Sequence, residues 1–210
     1  MALYYPAFLD VKGRLCVVVG GGEVAERKIA SLLECGARVR VVSPEATEAV
    51  QRSAEAGTLS WERREYLEGD LEGAFLAIAA TDDRSVNGTI AQEAERKKVL
   101  LNVVDVTSLC SFVAPSVVRR GEVVLAISTG GLSPALARKL REELEKSTAL
   151  EYADLATLLS EVRLELREEG ARVAPDHWQA CLNEEVLALY RKDKRAAKER
   201  LKESLLWSAR

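Results

Sequence analysis

The first clear pattern runs from Leu15 to Val19, a short, almost wholly apolar and β-branched stretch of the kind that forms a strand covered on both faces. It passes into Gly20-Gly21-Gly22 and then into Glu23 to Leu33, rich in helix formers, with Val24, Leu32 and Leu33 available for a buried face. Cys35-Gly36 supplies a stop. A second apolar run, Ala37 to Val42, closes a β-α-β unit and ends at Ser43-Pro44-Glu45. The alternation goes on with a short strand over Thr58 to Trp61 and a clearer one over Phe75 to Ala80, ending at Thr81-Asp82-Asp83. A helix starting at Asp83 or Ser85 and running to Lys98 follows, then another apolar strand, Val99 to Val104. Repeated β-α alternation with short connections predicts an open parallel sheet.

The grammar changes at Phe112. Phe112 to Val118 and Glu122 to Ser128 read as strands joined through Arg119-Arg120-Gly121 into an antiparallel hairpin. Ser133-Pro134 begins a helix, Ser as cap and Pro at the first helical position, reaching Lys146 and exposing Arg138, Lys139 and Arg141. Leu150 to Glu169 and Trp178 onward also read as helical, interrupted at Gly170 and Pro175. The expected organisation is an α/β sheet domain over residues 1–113, a small α+β segment of hairpin plus helix over 114–147, and a helical region over 148–210.

Composition narrows the chemistry. With 210 residues, 48% hydrophobic and 30% charged, the chain is ordinary globular protein. Its net charge of -3 gives no reason to expect a nucleic-acid partner. That balance is uneven, because residues 191–210 hold 8 basic and 3 acidic residues. A single histidine, His177, speaks against a His-based metal cluster or a Ser-His-Asp arrangement. Cys16, Cys35, Cys110 and Cys181 are widely spaced, with no CxxC pair, which predicts reduced, mostly buried thiols. No apolar run reaches the roughly 18 residues of a spanning helix, and Met1 to Asp10 lacks a basic segment followed by an apolar one. The expectation is a cytoplasmic protein with no membrane partner.

Gly20, Gly22 and Ala25 fit G-x-G-x-x-A in the strand-turn-helix setting of a dinucleotide fingerprint, which makes the first domain Rossmann-like. The first Gly allows the tight turn, the second lets backbone approach a pyrophosphate, and the small third residue lets helix pack on strand. Amides at the helix N-terminus would face the phosphates. NAD-specific sites usually carry Asp or Glu at the end of the second strand; here that position is Ser43, with Glu45 two residues on and no Arg directly after Ser43, so the choice between NAD and NADP stays open. In a parallel sheet, ligands bind beyond the carboxyl ends of the strands, which would bring Gly20 to Gly22, Ser43 to Glu45, Thr81 to Asp83 and Asn102 to Asp105 to one crevice. Asp105 stands out as a carboxylate directly after a buried strand, opening the polar loop Val106 to Ser111; it is either a turn residue or a functional acid.

Together these residues resemble the precorrin-2 dehydrogenase family, which includes the N-terminal module of siroheme synthase. The resemblance runs through Val17 to Lys28, Ala77 to Asp83, Asn102 to Asp105, Ser111 to Ser116 and Ser128 to Pro134, in the family's order. With no methyltransferase domain following, the chain looks like the family's stand-alone form. The resemblance implies NAD-dependent oxidation of precorrin-2 to sirohydrochlorin in siroheme biosynthesis. Some members also insert ferrous iron, a substrate rather than a resident metal. It assigns the chemistry to Asp105, as general base or, in chelation, as proton acceptor or transient iron ligand. Cofactor contacts carry over to Gly20, Gly21, Gly22, Glu23, Val24, Pro44 and Glu45, with Ser43 and Thr81 beside them. Thr129 occupies a position that is serine in some relatives. A tetrapyrrole with several carboxylates calls for basic residues, for which Arg119, Arg120, Arg138 and Arg141 are the candidates. Cys110 and His177 are the only other soft or borderline metal ligands. Homodimerisation through the region after residue 112 is implied as well. The competing reading from another class is a non-enzymatic NAD-sensing regulatory module.

Overall fold

The computed structural model describes residues 4–207; Met1 to Leu3 of the leader reading and Ser208 to Arg210 of the basic tail lie outside the described residues. The chain divides into two compact units, Met1–Ala114 and Pro115–Arg210.

In the first unit, β1 (Leu15–Val19), α1 (Glu23–Glu34), β2 (Arg38–Val42), α2 (Glu48–Glu55), β3 (Ser60–Glu62), β4 (Leu76–Ala79), α3 (Arg84–Lys97) and β5 (Leu100–Val103) follow in order. The strands form one sheet in the order β3-β2-β1-β4-β5, with every pairing parallel. Alternate residues of the apolar runs serve opposite faces. Cys16, Val18, Val39, Val41, Leu76 and Ile78 pack with Ala25, Ile29 and Leu32 of α1, whereas Val17, Val19, Ala77, Ala79, Leu101 and Val103 pack with Ile90 and Ala94 of α3. Both faces being covered, β1 and β4 carry no polar alternation, while β2, nearer the sheet edge, alternates Arg38 and Arg40 with Val39 and Val41. Chain order reverses between β1 and β4, which places the topological switch point, where such sheets bind ligands, directly beyond these two strands.

Two expectations shift here. The buried face of α1 is Ala25, Ile29 and Leu32, spaced one and two turns apart, while Val24 is exposed at the helix start. Helix α2 was not anticipated, although Thr47 caps it by accepting from Val50 N.

The second unit opens with the hairpin β6 (Ser116–Arg120) and β7 (Val123–Ile127), followed by α4 (Pro134–Glu145), a 3-10 stretch over Thr148–Leu155, α5 (Ala156–Glu168), α6 (Pro175–Cys181), α7 (Glu184–Lys192) and α8 (Lys194–Trp207). The strand expected from Phe112 begins only at Ser116, after Pro115, and Arg119 and Arg120 belong to β6 rather than to the turn. Arg120 pairs with Val123, leaving Gly121-Glu122 as a two-residue turn with Gly121 at φ 55°, the conformation glycine adopts without a Cβ penalty. Ser133 caps α4 as its sequence implies. Pro175 starts α6 instead of interrupting a helix, as a first-turn proline can. Two further breaks come from polar caps: Asn183 accepts from Val186 N, and Asp193 accepts from the amides of Arg195 and Ala196. The helices bury Leu155, Leu158, Val162 and Leu166 against Ala197, Leu201 and Leu205.

Candidate active site

The three glycines after β1 have three different neighbourhoods. Gly20 sits at φ 111°, and a Cβ there would lie 2.3 Å from the Ala80 carbonyl oxygen at the end of β4. A Cβ on Gly21 would lie 2.1 Å from the Glu45 carbonyl oxygen, so Gly21 is required by close packing of two protein loops, which Thr47 N → Gly21 O at 2.9 Å also joins. Before Gly22 the space is open. Gly22 is also the N-cap of α1 and offers no side-chain acceptor, so the first-turn amides, which an α-helix leaves without intrahelical partners, stay available. Open space in front of an uncapped helix N-terminus fits a pyrophosphate. Glu23 and Val24 are exposed beside it.

At the end of β2, Ser43 is buried and its hydroxyl donates to the Glu45 carbonyl at 2.6 Å, while its own carbonyl accepts from Trp61 Nε1 at 2.9 Å. The serine at the position where an acidic residue would meet ribose is therefore turned to brace its own loop. Pro44 and Glu45 are the exposed groups there. Beyond β4, Thr81 accepts from Asp83 N through its hydroxyl and from Asn87 Nδ2 through its carbonyl, and Asp83 caps α3, accepting from Ser85 N and Val86 N. The Asp83 carboxyl is held below the usual range by the Ser85 hydroxyl first and by those amides.

Asp105 follows β5 in a left-handed turn, φ 59°, a conformation uncommon outside glycine. Its carboxylate is exposed and makes no hydrogen bond or ion pair among the described residues. The loop behind it is tied down instead. Cys110 Sγ accepts from Val103 N at 3.1 Å and lies within donating distance of the Val103 and Val106 carbonyls, at 3.3 and 3.4 Å. Ser111 Oγ accepts from Leu101 N at 2.7 Å, and Asn102 Nδ2 donates to the Phe112 carbonyl at 3.1 Å. The thiol of Cys110 is thus a brace for the Asp105 turn. Lys28, to which no motif assigns a role, is a cation whose charge meets that of Asp105. Burial lowers the Lys28 pKa, Arg27 adds to the lowering, and Asp105 opposes it. Half-burial of a lysine on the flank of α1 is a tertiary fact that a helical pattern does not announce.

Of the remaining thiols Cys35 is exposed, contrary to the expectation of mostly buried thiols, while burial, with Cys35 adding, pushes Cys16 up to about 11, and no disulfide joins the cysteines among the described residues. His177 is half-buried, with Nδ1 buried and without a partner. Among the described residues, no group of three or more His, Cys, Asp or Glu side chains is arranged to hold a metal ion.

The second unit holds the other expected residues. Thr129 uses its hydroxyl to accept from Ser133 N and to donate to Ser133 O, both at 3.1 Å, closing the turn before α4. Arg120 forms a two-pronged ion pair with Asp154, Nε to Oδ1 at 2.8 Å and Nη2 to Oδ2 at 2.6 Å. Arg138 pairs with Glu142 at 2.9 Å. Arg141 pairs with Glu145 and, contrary to the expectation of a fully exposed side chain, is 28% exposed, because it lies between two carboxylates. Arg119 is exposed on β6.

With this geometry in view, residues 7–116 match an NAD(P)-binding family model, and residues 120–147 match the model of the sirohaem biosynthesis protein central domain. The solved structure of SirC, precorrin-2 dehydrogenase, superposes with a TM-score of 0.74 at 30% identity, covering 96% of this chain and 98% of that one. The chain belongs to the precorrin-2 dehydrogenase family. Other members it is similar to are the siroheme synthases of Photorhabdus laumondii, 40% identical over 86% of this chain and 39% of that protein, and of Photobacterium profundum, 44% identical over 78% and 35%. The chain spans about two fifths of the length of these curated relatives. Membership explains why one motif order runs across both units: the NAD(P)-binding match covers the sheet, and the central-domain match covers β7, α4 and the last residue of β6.

Proposed function

We propose that this chain oxidises precorrin-2, a reduced cyclic tetrapyrrole, to sirohydrochlorin, with NAD as hydride acceptor. The observation that carries the reading is that the uncapped helix start behind Gly22 and the Asp105 carboxylate lie at the same carboxyl edge of one parallel sheet. Bound NAD supplies a ring carbon that accepts a hydride. The amides of the first turn of α1 hold its pyrophosphate, Gly22 permits the close approach, and the exposed Glu45 beyond β2 meets the ribose hydroxyls, a carboxylate there disfavouring a 2'-phosphorylated cofactor.

Removing two hydrogens from the macrocycle releases one as hydride and one as a proton. Asp105 takes that proton: its carboxylate has no protein partner to displace, and its loop is fixed by Cys110, Ser111 and Asn102. Lys28 contributes a nearby positive field. Ferrous iron insertion into sirohydrochlorin would use the same carboxylate, since ring protons must leave as the metal enters.

Homodimerisation is part of the proposal. On α4 and the turn before it, Leu132, Leu136, Leu140 and Leu144 are 70, 50, 42 and 36% exposed at four-residue spacing, an apolar stripe suited to a second copy of the chain. The described helices include none long and apolar enough to cross a membrane, and the cysteines form no disulfide among the described residues, which supports a cytoplasmic setting.

The test is anaerobic incubation with precorrin-2 and NAD or NADP, following the sirohydrochlorin absorption spectrum. Product with NAD is expected; no product with either cofactor would leave a nucleotide-sensing module as the reading. Ferrous iron added to sirohydrochlorin without NAD tests chelation separately. In sedimentation, a concentration-independent monomer would exclude the dimer.

A further inference from the structure

The second unit contains a concave surface of about 780 Å³ built from α5, α6 and the segment between them. Its apolar floor is Leu159, Leu166, Val173 and Trp178, and its polar rim carries Arg163, Arg167 and Arg172. The volume lies inside the roughly 300–1,000 Å³ range of small-molecule sites.

The distribution of charge around this surface is unusual for the unit. On the flank of α5 that meets α8, Glu161 and Glu165 are paired with Lys198 and Lys202, at 2.6 to 2.9 Å. On α4, Arg138, Lys139 and Arg141 each have a glutamate. The guanidinium groups of Arg163, Arg167 and Arg172 make no ion pair or hydrogen bond among the described residues. Arg163 and Arg167 are also one turn apart, the spacing at which like charges on a helix repel. Three guanidinium groups, each able to grip a carboxylate with two parallel N–H donors, surround an aromatic and aliphatic floor. The aromatic face adds a surface on which a flat ring can stack.

We propose that this concavity binds a flat, apolar molecule bearing two or more carboxylates, the ring against Trp178 and the carboxylates on Arg163, Arg167 and Arg172. The ligand class follows from the cavity and does not depend on the dehydrogenase reading, whose residues lie in the other unit. A polycarboxylate tetrapyrrole has this chemistry, as does any planar aromatic polyacid. A carboxylate-only metabolite lacks the ring, and an uncharged ring lacks the anions.

Coproporphyrin III, a flat tetracarboxylate, serves as the probe with the full chain, read by quenching of Trp178 fluorescence and by equilibrium dialysis. Trp178→Phe assigns the signal against Trp61 and Trp207. Binding should weaken about tenfold or more in the Arg163→Gln/Arg167→Gln double variant and weaken as salt rises. Far-UV circular dichroism and the melting temperature of that variant should match wild type, which shows that the fold is intact. Citrate should fail to compete. Equal porphyrin affinity in wild type and double variant would overturn the proposal, as would quenching that persists in Trp178→Phe or competition by citrate at porphyrin-like concentrations. Because no turnover is measured, absence of sirohydrochlorin formation would count against the dehydrogenase and leave this result standing.

Discussion

At the carboxyl edge of the parallel sheet, the first-turn amides of α1 have no cap and Asp105 has no hydrogen-bond or ion-pair partner among the described residues. In the second unit, by contrast, Arg120, Arg138 and Arg141 are each engaged by a carboxylate of the same unit. The difference teaches that residue type is a poor guide to substrate contacts when the chain is 30% charged. An arginine rich in carboxylate neighbours on its own helix, such as Arg138 with Glu142 four residues on, satisfies itself locally. Asp105, at the end of a buried strand, has no partner one helical turn away, whereas Ser43 and Thr81 at the ends of other strands are taken up by their own loops.

The contrast can be broken most sharply at Asp105. Replacing it with Ala should reduce sirohydrochlorin formation by about a hundredfold or more while NAD binding, measured by calorimetry, stays near wild type. Turnover within a few fold of wild type would remove Asp105 from the mechanism.

The glycine loop gives the next effect. Gly21→Ala forces a methyl against the Glu45 carbonyl, so both thermal stability and NAD binding should fall, the former by about 1–3 kcal/mol. Gly22→Ala meets open space, so the protein should keep its melting temperature and lose NAD affinity. Equal losses of stability in the two variants would contradict the division of labour.

Away from the site, Glu93 is buried and accepts from Tyr66 and from the amides of Gly69 and Leu71 at 3.0 and 3.2 Å, with Lys97 nearby. Burial alone would raise its carboxyl, but these donors and Lys97 outweigh it and hold the group below the usual range. A depressed carboxyl contributes stability that is present above its unfolded pKa and is lost as pH falls through the folded one. The stability gap between wild type and Glu93→Gln in urea should therefore be widest at neutral pH and narrow as the solution is acidified below about pH 4. A gap independent of pH would show that Glu93 matters for shape rather than charge.

The smallest effect is expected in the second unit. Arg120→Met separates Asp154 from its partner and should lower the melting temperature slightly, since the pair is about one-third exposed and screened. Arg138→Met, on the outer face of α4, should leave it unchanged. A larger loss for Arg138 would reverse the assignment of Arg120 as the structural pair.

Much of the sheet unit was legible because its apolar runs end abruptly in turn chemistry. Leu15–Val19 before three glycines and Asp83 before α3 are local signals, and the structure places β1 and the α3 cap where they point. The first strand of the hairpin was misplaced, while the second lies within one residue at each end of its expected span; Arg119 and Arg120 look like turn residues, whereas pairing to β7 holds them in a strand. The helix breaks at Asn183 and Asp193 depend on single capping side chains within a sequence that reads as continuously helical. For the site, the glycine fingerprint pointed to Gly20 and Gly22 and the position after a buried strand to Asp105, but the reason for Gly21 lies in a loop more than twenty residues away, and the bracing of Ser43 and Cys110 by near neighbours in the chain follows no motif.

What the sequence by itself determined is the succession of the parallel strands, the glycine turn after β1 and the carboxylate after β5, each written in contiguous residues whose backbone preferences and periodicity act locally. Only the tertiary structure decided which groups at the crevice remain available, which arginines are consumed in ion pairs and which three stay unpaired around a cavity. Those outcomes depend on distances between segments far apart in the chain, and a hydrogen bond or an ion pair exists only when folding has brought both partners within about 3 to 4 Å.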